Sequence, residues 1–263
     1  MGGVVAARDG GSQVDISGRR ILLTGATGGI GTRILVALAG RGASLVLVGR
    51  RSSELGALAD HWGAEAVVAD LSEPSEVARV AEVADGCDAL VLNAGVLDGD
   101  PAIVMAVNLL APMRLATSFA AARRATGEPA AVVFTGSVAG VSPSPSSTGY
   151  SASKFGLRGF ALSLAAELSG TAVTATHLVV GYVGDAGMLV DSGGRPPRGV
   201  RTRTADQVAS AVVEAIEVGP AERWVAPWEL RLAALAAAGS PRLVGPALRR
   251  IGAGTRRSSA GAR

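Results

Sequence analysis

The sequence predicts an α/β fold in which a doubly wound parallel sheet of about seven strands carries helices on both faces. Three observations predict it. Short, continuous apolar runs recur along the chain, as strands buried on both faces require. Helix-period segments separate them, so that strand and helix alternate six times. A glycine-rich turn joins the first run to the first helix, at the sheet edge where such folds place a ligand.

Taken in order, ILLTG (21–25) is the first strand and a helix follows from Ile30 to Ala39. SLVLVG (44–49) is the second strand, followed by a helix from Ser52 to Trp62 with Ser52 or Ser53 as its cap. AEAVVADLS (64–72) is the third strand. Pro74 opens the next helix, because a first-turn proline sacrifices no hydrogen bond. DALVLNAG (88–95), a helix over 108–125, AAVVFTGS (130–137) and a helix over 150–169 continue the alternation. TAVTATHLVV (171–180), a helix over 205–218 and ERWVAP (222–227) close it. Two stretches interrupt the pattern. VSPSPSSTG (141–149) is a Pro/Ser loop, and 184–202 is too long and too rich in Gly and Pro for a passive connection.

With 263 residues, 48% of them hydrophobic and 18% charged, the chain can bury one sizeable core. Aromatics are only 3%, so that core is built from Ala, Val, Leu and Ile. The single cysteine, Cys87, excludes an internal disulfide and fits a reducing compartment, so a cytoplasmic location is expected. The first residues show no signal-peptide pattern and no run of about 18 apolar residues occurs, so neither a secretory signal nor a membrane span is expected. Residues 1–17 read as a flexible tail, 18–227 as one α/β domain, and 228–263 as a basic, apolar extension. Charge divides along the same line. Residues 1–222 carry 17 Lys and Arg against 21 Asp and Glu, a balance of −4, whereas 223–263 carry eight Arg and one Glu, a balance of +7. The body lacks a basic patch interleaved with aromatics, so nucleic acid is not an expected partner.

The turn after the first strand reads TGATGGIG, Thr24 to Gly31. Glycines there permit unusual dihedrals and let a phosphate approach bare backbone, while the following helix aims free N–H groups and its positive dipole end at it. A plain turn in a chain of 36 glycines is the competing reading. The spacing G-x-x-x-G-x-G differs from the commoner G-x-G-x-x-G. It resembles the cofactor loop of the short-chain dehydrogenase/reductase family. The resemblance extends over about 19–227, through Asp70-Leu71, Asn93-Ala94-Gly95, Asn108, Ser137 and YSASK with Tyr150 and Lys154. It implies a Rossmann-type fold and a cofactor held by Gly25, Thr27, Gly28, Gly29, Ile30 and Gly31. By the same resemblance Asp70 and Leu71 touch adenine, and Asn93, Ala94 and Gly95 lie against the adenosine-side ribose. Lys154 and Tyr150 sit at the nicotinamide ribose, and Val183 at the carboxamide.

Lys154 is the only lysine among 25 basic residues. It stands four residues after Tyr150 at a helix start, so the two face the same way. A phenol titrates near 10, too high for a base at neutrality. A nearby ammonium, or the charge of an oxidised nicotinamide, favours phenolate and brings the phenol into range as a general acid/base. Ser137 is placed to hold the substrate oxygen. The resemblance gives Lys154 the ribose hydroxyls as well, a double task for a compact ammonium rather than a broad guanidinium. It also gives Asn108 a place in a proton relay, where a plain helix cap is the other reading.

Relatives that use NAD commonly end the second strand with an acidic residue, but here that place is Gly49, followed by Arg50 and Arg51. Two cations without a carboxylate suit a 2′-phosphate, so the expected cofactor is NADP rather than NAD. After the sixth strand Val180 stands where the family has proline, and Asp185 near its threonine position. Tyr182 lines the pocket or covers the loop. His61 and His177 have no partner in view, and no metal cluster is suggested. Toward the C-terminus, Trp224 and, in the extension, Trp228, Leu230, Leu232 and Leu235 beside arginines allow two readings, helices packed over the substrate pocket or an amphipathic segment on an anionic membrane. The function expected is an oxidoreductase acting on a small carbonyl or alcohol, as a homodimer or homotetramer. A non-catalytic dinucleotide-binding sensor or scaffold of the same fold is the alternative, and the intact Ser/Tyr/Lys set speaks against it.

Overall fold

The structure, a computed structural model, describes residues 15–239 apart from 145–146, 195 and 197–198. Seven strands form one parallel sheet: β1 Arg20–Thr24, β2 Ser44–Gly49, β3 Glu65–Val68, β4 Ala89–Leu92, β5 Ala130–Thr135, β6 Val173–Val180 and β7 Glu222–Val225, in the order β3-β2-β1-β4-β5-β6-β7. The period of two along each strand divides its side chains between two cores. Ile21 and Leu23 of β1 join one cluster with Ile34, Leu38, Val208 and Val212. Leu22 points to the other, with Val80, Leu115, Phe119 and Leu157. Helices α1 (Gly29–Ala39), α2 (Ser52–Trp62) and α8 (Ala205–Val218) therefore cover one face. Helices α3 (Pro74–Ala84), α5 (Ala111–Thr126) and α6 (Thr148–Glu167) cover the other. Short helices α4 (Pro101–Met105) and α7 (Met188–Asp191) and the terminal α9 (Trp228–Gly239) complete the set.

The chain runs outward from β1 to β3 and then crosses back to β4, so the strand order reverses between β1 and β4. The loops leaving the carboxyl ends of those two strands diverge and open a crevice. That crevice is where the site forms.

Several expectations need correction. Ile16 belongs to the core rather than to the tail, because it packs in the same cluster as Ile21 and Leu45. The third strand ends at Val68, since it is an edge strand with one partner and Asp70 folds into a turn that accepts from Ser72 N and Oγ. No serine caps α2, because Ser52 and Ser53 already lie inside its first turn and Arg51 stands at the cap. Helix begins well before residue 108. Asp100 caps α4 by accepting from Ala102 N at 2.7 Å, and a π turn over Ala106–Leu110 joins α4 to α5. Together Pro101–Thr126 has the length and apolarity of a membrane span, but half of that window is buried inside the domain, as in a core helix. Residues 1–14 and 240–263 of the predicted tail and extension lie outside the described residues.

Candidate active site

The glycine turn is locked from β4. Thr24 Oγ1 accepts from Asn93 N and Ala94 N, each at 3.0 Å, and Asn93 Nδ2 donates to Thr24 O and Gly25 O. Gly25 has φ of +69°, and a Cβ there would stand 2.9 Å from Ala94 Cα. Gly31 packs its bare Cα against the Gly25 carbonyl, which brings α1 up under the turn. Asn93 and Ala94, expected at the ribose, thus spend their hydrogen bonds on shaping this turn. Gly28 and Gly29 remain exposed, as an anion cradle at a helix N-terminus requires. The loop after β6 folds back over them. Ala186 Cβ and Gly187 N lie 3.0 Å from where a Cβ on Gly29 would stand, and Met188 Cε is as close to the corresponding point on Gly95.

Both arginines after β2 reach the same neighbourhood. Arg51 donates to Thr27 O at 3.2 Å and pairs with Glu54 at 2.9 Å. Arg50 lies 3.9 Å from Asp70, with its side chain 57% exposed. The Asp70 carboxyl is held below its usual range, first by the Ser72 backbone N–H and with help from Arg50. Leu71 turns inward to a small cavity shared with Thr24, Leu92 and Ala94.

At the other end of the crevice the chemistry-bearing residues converge. Ser137 follows β5 and starts a short 3-10 turn, Val138–Gly140, where its Oγ accepts from Ala139 N at 3.1 Å. Gly140 lets that turn lie against α6, since a Cβ there would stand 2.5 Å from Lys154 O. Tyr150, in the first turn of α6, brings its phenol near enough to Ser137 for the serine hydroxyl to favour its ionised form. One turn on, Lys154 is buried, and its Nζ donates to Thr135 O at 2.9 Å and lies 5.7 Å from the Tyr150 ring centre. Asn108, in the π turn, is also buried. Its Oδ1 accepts from Val96 N and its Nδ2 donates to Val96 O, each at 2.8 Å, while Nδ2 also reaches Ser153 Oγ at 3.1 Å. Ser153 Oγ in turn donates to Tyr150 O at 2.7 Å.

Electrostatics departs from the expectation of a lowered phenol. Burial pushes the Tyr150 phenol up, and the Ser137 hydrogen bond draws it only part of the way back. Burial also lowers Lys154, to about 8. A desolvated ammonium whose proton is shared with Thr135 O does not by itself bring the phenol down.

Val183 forms a parallel bridge with Arg203, using Tyr182 O and Gly184 N. Its own N–H and carbonyl are thereby directed to the opposite side. Asp185, near the family's threonine position, accepts from Ala205 N at 2.8 Å and so holds the start of α8. Sequence reasoning missed the network behind Ser137. His177 is buried against Gly136, 3.5 Å from Glu222, which accepts from Arg158 at 2.7 Å and from Trp224 Nε1 at 3.1 Å. Burial lowers His177, so it stays neutral at pH 7. No spacing in the chain announces this set, because its members come from α6, β6 and β7. His61 instead stacks edge-on with Trp62 at the surface. Among the described residues no three His, Cys, Asp or Glu side chains gather as metal ligands.

Comparisons with known proteins agree with this construction. The family model of short chain dehydrogenases matches residues 19–193. Nodulation protein G of Rhizobium sp. (strain N33) is 35% identical over 189 residues, 65% of this chain and 76% of the relative. Ketoacyl reductase HetN of Nostoc sp. is 31% identical over 220 residues, 77% of this chain and 76% of the relative. Among solved structures, a putative NAD(P) dependent gluconate 5-dehydrogenase from Beutenbergia cavernae, with bound NADP at low occupancy, superposes with a TM-score of 0.71 at 29% identity. The match covers 81% of this chain and 98% of that one. A short-chain dehydrogenase from Sphingobium yanoikuyae in complex with NADPH shares the fold, at TM-score 0.71, 24% identity and coverage of 93% and 99%. By fold, by crevice and by sequence, this chain belongs to the short-chain dehydrogenase family of NAD(P)-dependent oxidoreductases.

Proposed function

We propose that the chain uses NADP(H) to interconvert a small-molecule carbonyl and the corresponding secondary alcohol, with Tyr150 as general acid/base. The observation that carries this reading is the convergence of Ser137, Tyr150 and Lys154 at the carboxyl edge of the sheet, with Lys154 Nζ fixed on Thr135 O. Ser137 Oγ accepts from Ala139 N, which fixes the side chain so that its hydroxyl proton can be offered to the phenol or to a substrate oxygen beside it. Lys154 supports the phenol and reaches the nicotinamide ribose. Asn108 is a positioning residue: its amide clamps Val96 beside Gly95 and steadies Ser153 under Tyr150.

The residues present fit the dinucleotide. Gly25 and Gly31 shape the turn, Gly28 and Gly29 offer bare backbone to the pyrophosphate between Thr27 and Ile30, and Val183 directs peptide groups toward the carboxamide. Asp70 and Leu71 take the adenine side. Arg50 and Arg51, following a second strand that ends in Gly49, favour a 2′-phosphate. When bound, the nicotinamide exchanges hydride with the substrate carbon and, oxidised, contributes the positive charge that favours phenolate. The same proposal places the protein in the cytoplasm as a homodimer or homotetramer. Leu110 and Phe155, exposed on the helices expected to meet, supply apolar surface for the contact.

A panel of ketones and alcohols assayed with NADPH and with NADH tests the reading, with Tyr150→Phe as control. Turnover with NADPH that disappears in the variant is expected. Binding of NADPH with no turnover anywhere in the panel, by either protein, would favour the sensor instead.

A further inference from the structure

Helix α9 is apolar nearly all round, yet among its residues only Ala234 is buried, against Val141 and Val179. A second inward contact comes from Leu230, whose Cδ2 lies 3.1 Å from where a Cβ on Gly181 would stand. The tail residues therefore sort into two sets. Leu230 and Ala234 face the domain, while Trp228, Leu232 and Leu235 stand 67%, 59% and 44% exposed. Their spacing of four and then three residues makes them one stripe on the helix surface. The helix's one acidic residue, Glu229, is paired with Arg201 at 2.6 Å, so it does not set a negative charge beside the stripe. Arg231 lies over the Trp224 ring at 5.4 Å, at the stripe's margin.

The chain beyond α9 points to the partner this stripe suits. Residues 240–263 carry six arginines and no acidic residue. An apolar stripe followed along the chain by a segment with six arginines and no acidic residue matches the two forces that hold a protein on a charged bilayer, acyl burial and attraction to anionic headgroups. A second copy is a poorer match, because the same segment of that copy would add six more arginines and no acidic residue to pair with them. We propose that α9 and the arginine run after it dock the protein on an anionic lipid surface, with Trp228, Leu232 and Leu235 entering the headgroup boundary. This inference stands independently of the cofactor and of the reaction.

Flotation of the full chain with vesicles of phosphatidylcholine, alone or mixed with phosphatidylglycerol, tests it. At low salt, recovery with anionic vesicles is expected to exceed that with neutral ones about tenfold or more, and to fall in high salt. Trp228→Ser, Leu232→Ser and Leu235→Ser combined should abolish flotation while leaving the circular dichroism and melting temperature unchanged. Should that variant unfold, Arg249→Gln, Arg250→Gln, Arg256→Gln and Arg257→Gln combined, all outside the described fold, should lower recovery at least tenfold by themselves. Equal recovery with both vesicle types, no recovery with either, or unchanged recovery in the arginine variant would overturn the proposal. So would a concentration-dependent dimer that the serine variant dissolves, which would assign the stripe to a second copy.

Discussion

Arg50 and Lys154 are both cations at the carboxyl edge of one sheet, but their surroundings have little in common. The Arg50 side chain is 57% exposed, with a carboxylate 3.9 Å away. Lys154 is 3% exposed, bonded to a strand carbonyl and lowered by burial to about 8. The same contrast runs through their neighbours. At the β2 end Arg51 and Glu54 are solvated partners, whereas at the β5 end Asn108, Ser153 and Lys154 are buried and bonded. A phosphate needs only nearby charge, which solvated side chains supply at little cost in folding. The proposed proton transfer needs groups held in place with shifted affinities, which their removal from water supplies.

The largest effect should come from the buried end. Tyr150→Phe removes the proton carrier and leaves the ring, so kcat should fall about 10²–10⁴-fold with NADPH binding retained, as steady-state rates and cofactor titration would show. Equal loss of binding would mean that the phenol holds cofactor rather than moving a proton. Next is Asn108→Ala, which leaves both backbone groups of Val96 without their partner and should cost about 3 kcal/mol in chemical unfolding. A cost near that of a surface substitution would show that the π turn does not depend on this clamp.

Lys154→Met sharpens the comparison through stability. The folded lysine titrates at about 8 against its usual 10.5, so between those values the unfolded chain binds more protons and wild-type stability should climb with pH. Below about 8 the burial penalty is present in full. The variant should therefore be more stable at pH 7, by on the order of 2 kcal/mol once the lost bond to Thr135 O is counted, and should not show that climb. Its turnover should be lost. Identical pH dependence of melting in the two proteins would remove the case for a perturbed lysine. Arg50→Ala should give the smallest change, a roughly tenfold rise in KM for NADPH with that for NADH unaffected. An unchanged KM for both would leave the NADP assignment without support from this residue.

The loop after β6 crosses between the two ends. Ala186, Gly187 and Met188 lie close to Gly29 and Gly95, beside the crevice in which the dinucleotide is proposed to bind. Hydrogen exchange at 186–191 should therefore change when NADPH is added, and protection unaltered by cofactor would contradict this.

The strands were readable because parallel strands buried on both faces must be continuously apolar, and β2, α2 and α8 span the residues anticipated. The candidate site was readable because its groups are local in sequence or tied to strand ends. Tyr150 and Lys154 share a helix turn, and the glycines share one loop. Less was readable wherever a side chain's partner lies far along the chain. Asp185 is bonded to the start of α8, Arg123 reaches back to the Cys87 carbonyl, and His177 meets Glu222 from another strand. A short helix before Asn108 was anticipated, but not its continuity with α5 or its cap, because Asp100 comes after a short Gly/Asp stretch that also suits a loop.

By itself, then, the sequence determined the alternation of elements and the glycine turn after β1, and it singled out the residues now proposed to handle the proton, all through periodicity and short spacing. Only the tertiary structure decided which polar atoms are shielded from water. That is why the direction of the Tyr150 shift, the use of the Asn108 amide and the division of α9 into inward and outward residues emerged from packing. Desolvation depends on every atom around a group, and those atoms come from strands and helices that the chain brings together only on folding.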